Sequence, residues 1–289
     1  MILDGKKIAK SNNDIIKNKI DNKILCNKSV PGLGVIIVGD REDSKLYVNM
    51  KKKTCKYVGI KTKTISLDEN VTTENVIGAV NIFNSDKTIH GILIQLPLPK
   101  HINENQVLTS VDIDKDVDGF HATNMGNLAL DSREPLFTPC TPLGCMRLIE
   151  HYQIELEGKN AVVIGKSNIV GLPISLMLMK KNATVTVCHI HTKNLKEICK
   201  SADILISACG QKEMIKTDWI KEGVVIIDIG INYKDDPENP EKRKIVGDVD
   251  FDDCKNISSF ITPVPGGVGP MTVSMLMENT YKAYYRLTI

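Results

Sequence analysis

No run of apolar residues in this chain approaches the length needed to span a bilayer. Charge of one sign is also lacking: 37 Lys and Arg nearly cancel 35 Asp and Glu, for a formal net charge of +2. The first absence argues against a membrane protein, and the second removes the electrostatic reason to expect nucleic acid or an anionic membrane as a partner. Eight cysteines, at 26, 55, 140, 145, 188, 199, 209 and 254, include no Cys-x-x-Cys pair. Several fall inside expected strands or helices as small apolar residues, which predicts reduced thiols in a cytosol-like compartment. Internal repeats and low-complexity tracts are missing as well. Met1 to Lys6 has neither the apolar core of a signal peptide nor the Arg/Ser character of a transit peptide, so a cytoplasmic location is expected.

What is present is ordinary in amount and specific in arrangement. Apolar residues make up 42% and charged residues 25% of 289, which suits one large or two modest soluble domains. Helix-period segments alternate with short β-branched runs, the pattern of an α/β fold. Ile8, Ile15, Ile16 and Ile20 suggest one helical face; Leu33 to Val38 reads as a buried strand and about Asp43 to Val58 as a helix. Ile60 to Leu67 is strand-like, Thr72 can cap a helix through about Phe83, and Gly91 to Gln95 is a strand stopped by Leu96-Pro97-Leu98-Pro99. From Pro142 a helix leads to Tyr152. A more regular series follows, with strands at Ala161 to Gly165, Thr184 to Cys188, Ile204 to Ser207 and Val224 to Ile229. The polar run Tyr233 to Pro240 reads as an exposed excursion, and a domain boundary is expected near Thr141.

Between Thr262 and Thr272 the chain packs three prolines and three glycines into Pro263 to Pro270. Such a stretch suits neither helix nor strand and is expected to present shaped backbone, with a last helix from Met271 to about Arg286. Met275, Leu276, Asn279 and Ala283 of that helix could pack back across the first domain.

A nucleotide signal lies at Ala161 to Pro173: strand, Gly165 turn, then a helix start whose unpaired amides suit a pyrophosphate. It is not Gly-x-Gly-x-x-Gly, because Ser167 stands where the second glycine would be. About 20 residues on, where NAD sites place an acid for the ribose hydroxyl, the chain reads Val187-Cys188-His189-Ile190-His191. The missing acid, with Lys166 nearby, points to NADP, with NAD left possible.

A catalytic signal lies in Ser44 to Lys53. Tyr47 and Lys51, four apart, share a helical face, while consecutive positions diverge by about 100°, so Lys52 and Lys53 can face water. A lysine beside an aromatic ring in a dry cleft could serve as acid and base. Gln95 ends an apolar strand where ligands of α/β sheets gather and could hold a lysine amine. Lys115-Asp116-Val117-Asp118-Gly119 puts two acids in a turn. Without further oxygen ligands at EF-hand spacing, no metal is expected.

These motifs, together with Ile2 to Lys6, Thr138 to Pro142, Asp228 to Asn232 and Gly247-Asp248-Val249, resemble one family over nearly the whole chain: the bifunctional methylenetetrahydrofolate dehydrogenase/cyclohydrolases. The resemblance implies a folate-binding α/β domain of residues 1–141 plus 271–289, and a Rossmann-like, doubly wound NAD(P) domain of residues 142–270. It also implies a cleft between the two and a homodimer formed through the nucleotide domains. Lys51 would be the acid/base lysine, Tyr47 would pack along the folate, and Gln95 would bond Lys51 and favour its neutral amine. Asp118 would grip the pterin, with Ile94, Leu96 and the backbone of Pro265, Gly266, Gly267 and Gly269 lining the site. The three glycines would let backbone approach the flat ring. Gly165, Lys166, Ser167, Ile190 and Ile231 match nucleotide contacts. Ile190 departs from relatives that carry serine or arginine there, because it cannot hydrogen-bond a phosphate. The rival readings are a monofunctional dehydrogenase of the same family and a non-catalytic nucleotide-binding protein.

Overall fold

The computed structural model describes residues 1–25, 29–236 and 239–288. Cys26, Pro237 and Glu238, which figure in the expectations above, lie outside the described residues. Cα packing divides the chain into two compact units: Lys10–Cys140 with Val273–Ile289, and Met1–Ala9 with Thr141–Thr272.

The first unit is built on helix α1 (Gly5–Leu25), strand β1 (Gly32–Val38), α2 (Glu42–Val58), β2 (Lys61–Leu67), α3 (Thr73–Ser85) and β3 (Gly91–Ile94). Short helices α4 (Glu104–Thr109) and α5 (Ala122–Ala129) follow. The strands form a parallel sheet in the order β2-β1-β3, with Ile36 opposite both Ile65 and Ile94. β1 and β3 are buried along almost their whole length, as strands covered on both faces must be. Ile36, Val76, Val80, Phe83, Ile92 and Val107 lie at the centre of the core. Thr72 caps α3 as expected, in a reciprocal box with Asn75. Along α1, Ile16 and Ile20 are buried but Ile15 is 50% exposed. Adjacent helical positions cannot share a face, so the grouping of Ile15 with Ile16 is corrected.

The second unit contains α6 (Cys140–His151), β4 (Asn160–Ile164), α7 (Gly171–Met179), β5 (Thr184–Cys188), α8 (Leu195–Lys200), β6 (Ile204–Ser207) and β7 (Val225–Asp228). Hairpin strands β8 (Asn232–Asp236) and β9 (Asn239–Val246), helix α9 (Phe251–Cys254), β10 (Phe260–Ile261) and α10 (Val268–Thr288) complete the chain, the division between units falling inside α1 and α10. Its parallel sheet runs β10-β7-β6-β4-β5. The chain steps from β4 outward to β5 and then returns to the far side of β4, the doubly wound pattern whose crevice opens at the carboxyl ends of the strands.

Two local differences have plain causes, and one expectation gains detail. Tyr233, Lys234 and Asp235 are exposed, as expected of that run, and form one arm of an antiparallel hairpin with Tyr233 opposite Ile245. The last helix starts at Val268, inside the Pro/Gly segment: Pro270 sits in its first turn, where an amide hydrogen has no intrahelical acceptor to lose. Met1–Ala9 groups with the second unit and not with the N-terminal half, because Ile2 bridges Ile261 in parallel and extends that sheet. Leu3 N donates to Ile261 O at 2.9 Å and Ile261 N to Met1 O at 3.0 Å.

Candidate active site

In α2 the residues Val48, Cys55 and Val58 are buried, and Lys51 falls on the same stripe at helical spacing. That places a charge on the inward face of the helix. Lys52 is also partly buried and Lys53 is exposed, so the division of the three lysines is less sharp than periodicity suggested. Lys51 Nζ lies 3.1 Å from Gln95 Oε1, and Gln95 Nε2 donates to Leu96 O at 2.7 Å. The strand holds Gln95 in place through Gln95 N donating to Ile36 O at 2.9 Å. Gln95 thus presents its oxygen to the amine. An amide oxygen accepts from an amine and from an ammonium alike, so this contact does not by itself select the neutral form, contrary to the expectation.

Asp118 is partly buried in the turn after a one-turn 3-10 helix at Ile113–Lys115. Burial pushes its carboxyl up to about 6; Lys51 opposes the shift and Asp116 adds to it. The two acids have different jobs. Asp116 is almost wholly buried and gathers the turn around itself, accepting from Phe120 N (3.2 Å), His121 N (2.8 Å) and Asn124 Nδ2 (2.8 Å). Cys140 lies beside Asp118 and donates to Val117 O at 3.3 Å; burial, followed by the Asp118 charge, pushes its thiol well up. From α10, Asn279 Nδ2 donates to Val117 O at 2.8 Å and Thr138 O at 3.1 Å, while Met275, Leu276 and Ala283 are buried. Gly91 is required here: a Cβ on it would stand 2.6 Å from Val117 Cγ1. Ile94 is buried and Leu96 partly so. Beyond Leu96, at the carboxyl ends of β1 and β3, a cavity of about 590 Å³ is lined by Val38, Gly39, Arg41, Pro97, Leu98 and His101. Concave openings at this end of a parallel sheet are where such folds take ligands. Tyr47, also partly buried, lies one turn before Lys51.

In the second unit, β4 delivers the chain to Gly165 at φ +119°, a conformation side chains resist, and a Cβ there would run into Ala208 O. Ser167 Oγ accepts from Val170 N at 3.2 Å and Gly171 N at 3.4 Å, so the serine in place of a second glycine ties the turn that enters α7. The amides of Lys166, Ser167, Asn168 and Ile169 have no acceptor among the described residues. They offer a row of donors at the mouth of the crevice, the chemistry a pyrophosphate requires. Lys166 is exposed beside them. At the end of β5, Ile190 is 92% exposed, with His191 N bonded to His189 Nδ1 at 3.2 Å. Ile231, exposed, follows β7.

Sequence reasoning gave Asp228 and Asp248 no role, and they organise the crevice. Asp248, fully buried, accepts from Ser207 Oγ (3.1 Å), Cys209 N (2.8 Å), Gly210 N (3.2 Å), Gln211 N (3.0 Å) and Asn232 Nδ2 (2.9 Å). Asp228 accepts from Gly230 N (2.9 Å), Asp248 N (3.1 Å) and Val249 N (2.9 Å). Burial pushes the Asp228 carboxyl up to about 7, its amide partners pulling the other way. The available signal was an acid flanked by glycine in both Asp228-Ile229-Gly230 and Gly247-Asp248, where a Cβ on either glycine would strike the other motif's carboxylate.

The Pro/Gly segment has its own neighbours. Lys6 N donates to Gly266 O at 2.9 Å, and a Cβ on Gly5 would run into Gly267 O. Gly267 is buried, and a Cβ on it would stand 2.6 Å from Thr262 Cβ. The packing of its own unit therefore requires a small residue at Gly267. Gly269 has open space at its Cβ position and Pro265 is exposed.

Two family models cover the chain: the catalytic domain of tetrahydrofolate dehydrogenase/cyclohydrolase matches residues 3–118, and the NAD(P)-binding domain matches 139–288. The chain belongs to the tetrahydrofolate dehydrogenase/cyclohydrolase family. It is 52% identical to Arabidopsis thaliana bifunctional protein FolD 2, over 96% of this chain and 93% of that protein. The crystal structure of the bifunctional FolD enzyme from Campylobacter jejuni superposes with a TM-score of 0.92 at 46% identity, covering 99% of both chains. That of the Trypanosoma brucei dehydrogenase-cyclohydrolase, complexed with NADP and an inhibitor, gives 0.94 at 37% identity, over 99% of this chain and 97% of that one. As a tetrahydrofolate dehydrogenase/cyclohydrolase the chain is a two-activity enzyme: it oxidises 5,10-methylenetetrahydrofolate and hydrolyses the methenyl product to 10-formyltetrahydrofolate.

Proposed function

We propose that Lys51 carries the proton transfers of the cyclohydrolase step, that Tyr47, Gln95 and Asp118 bind and orient the folate, and that NADP is the preferred hydride acceptor. The observation that carries this reading is the 3.1 Å contact between Lys51 and Gln95, with the Asp118 carboxyl under the influence of the same lysine. NADP, when bound, supplies the carbon that takes the hydride from the one-carbon bridge. In the second activity water adds to the resulting methenyl carbon, one carbon–nitrogen bond opens, and both protons leave the attacking water, one reaching the departing nitrogen and the other released to solvent. Lys51 is the amine positioned for both transfers. Ile94 and Leu96 flank Gln95 along the folate.

On the nucleotide side, Gly165, the donor row from Lys166 to Ile169 and the turn tied by Ser167 suit a pyrophosphate, with Ile231 beside the crevice. The Lys166 ammonium and the lack of an acid after β5 favour a 2′-phosphate over a free ribose hydroxyl. Ile190 contributes only apolar surface. Functionally, residues 1–141 with 271–289 serve the folate and 142–270 the nucleotide, the first nine residues being held by the latter.

A homodimer through the nucleotide units is part of the same reading. β5 is an edge strand with Val187 exposed, and α7 beside it leaves Leu172 and Met179 exposed, an apolar strip suited to a second copy. Seven unpaired cysteines among the described residues accord with a cytoplasmic enzyme. Lys51→Met tests the central assignment. Hydrolysis of methenyltetrahydrofolate, followed by absorbance without nucleotide, is expected to vanish while NADP binding by fluorescence persists; retained hydrolysis removes Lys51 from the role.

A further inference from the structure

Lys115 is only 7% exposed, yet it makes no ion pair with a carboxylate among the described residues. Its ammonium donates to three backbone carbonyls: Phe83 O at 3.0 Å, Asn84 O at 2.7 Å and Asp86 O at 3.0 Å. These belong to the last turn and C-cap of α3, where the helix dipole is negative; Phe83 O and Asp86 O also accept backbone amides, from Asp86 N at 3.3 Å and Ile89 N at 3.0 Å. A lysine has three N–H donors, so all its hydrogen-bonding capacity is spent on the helix end. Burial pulls its pKa down, with the Asp112 and Asp86 charges opposing that shift.

The consequence runs along the backbone to Asp118, three residues on. Lys115 N donates to Asp112 O at 2.8 Å and Val117 N to Lys115 O at 2.8 Å, while Asp112 N is held by Asn84 Oδ1 at 3.0 Å. Asp116 ties the far side of the turn, Val117 is clamped by Asn279, and Gly119 N returns to Asp116 O at 3.0 Å. The backbone on both sides of Asp118 is therefore fixed. Lys115 anchors this frame to the end of α3 together with Asn84, whose Nδ2 donates to Ser110 O at 2.8 Å, and α3 leads into β3 and Gln95.

We propose that Lys115 is a positioning residue: by capping α3 it sets the carboxylate of Asp118 at a fixed place relative to Gln95 and Lys51, and so governs how tightly the folate ring is held. The inference rests on the reading of Asp118 as a folate-binding group. A buried cap with only a structural role would lower stability and the folded fraction but leave the folate KM of the folded enzyme untouched. A positioning role changes that KM.

The test uses the full-length protein as Lys115→Met, Lys115→Arg, Asp118→Asn and the Lys115→Met/Asp118→Asn double variant. Each is measured for folate KM, kcat per folded site, NADP Kd by fluorescence, and Tm. Lys115→Met is expected to raise folate KM by about tenfold, the scale of one misplaced polar contact, with NADP Kd unchanged. In the Asp118→Asn background the same change is expected to add little, because the group it positions is already gone. Lys115→Arg keeps the charge and should restore Tm and most of the affinity. A wild-type folate KM in folded Lys115→Met, or fully additive effects in the double variant, overturns the inference. If Lys115→Met does not fold, Lys115→Arg decides: its fork cannot reproduce three convergent bonds, so a modest rise in folate KM is expected, and no rise overturns the proposal. An unchanged folate KM in Asp118→Asn fails the underlying reading of Asp118, and is thereby distinguished from a failure of Lys115 alone.

Discussion

Gln95 turns its amide oxygen to Lys51 Nζ at 3.1 Å and its nitrogen to the Leu96 carbonyl at 2.7 Å, so one side chain both satisfies the end of β3 and meets the lysine on the buried stripe of α2. The orientation of the amine is consequently set by the sheet. Gln95→Leu keeps approximate volume and removes the acceptor. Cyclohydrolase turnover is expected to fall by at least about tenfold, the scale of losing a positioned proton-transfer partner, while NADP Kd stays within error. Stopped-flow absorbance of methenyltetrahydrofolate measures the first, and a fluorescence titration the second.

The Asp228 carboxyl carries a pH prediction. Its folded value of about 7 is raised above the ordinary 3.8, so the native state binds more protons than the unfolded state between those values. Stability contributed by this group is therefore present at the acid end of the window and is lost as pH rises through about 7. Asp228→Asn cannot ionise, so the difference in Tm between wild type and variant should change steadily from pH 4 to 7, wild type losing ground as pH rises. A pH-independent difference would show that the carboxyl titrates normally in the fold.

Gly165→Ala combines an unfavourable φ with a collision against Ala208 O. Loss of NADP binding by more than about tenfold and a lower Tm are expected, the backbone term alone being on the order of 1 kcal/mol. Lys166→Ala, at an exposed position, should leave Tm unchanged and reduce the ratio of kcat/KM with NADP to that with NAD. An unaltered ratio removes Lys166 from cofactor discrimination.

Val187→Lys places a charge on the exposed edge of β5. Sedimentation velocity is expected to show wild type as a dimer and the variant shifted toward monomer; equal sedimentation of the two would place the self-association elsewhere.

Much of this is legible in the order of residues alone. β5 and β6 have the limits that β-branched runs implied, Thr72 caps α3, and Gly165 makes the turn after β4, because strand composition, cap chemistry and positive φ are local properties. Asp116 and Asp118 look alike as two acids of one turn, and only burial and hydrogen-bond partners separate the turn's hub from the group beside Lys51. The packing at Gly267 is not legible either: Thr262 and Pro263 fill the space at its Cβ position and its carbonyl faces Gly5, a neighbour distant in sequence and invisible to periodicity.

The amino-acid order by itself determined the α/β alternation, the position of the nucleotide turn and the face of α2 that carries Lys51. These depend on intervals of two to four residues and on the intrinsic conformations of Gly and Pro. Tertiary structure decided polar groupings the order did not show: Lys115 with the end of α3, Asp228 with Asp248, and Met1–Ala9 with the nucleotide unit. Each of those pairings joins segments far apart in the chain, and its energy exists only when burial has removed water as the competing partner.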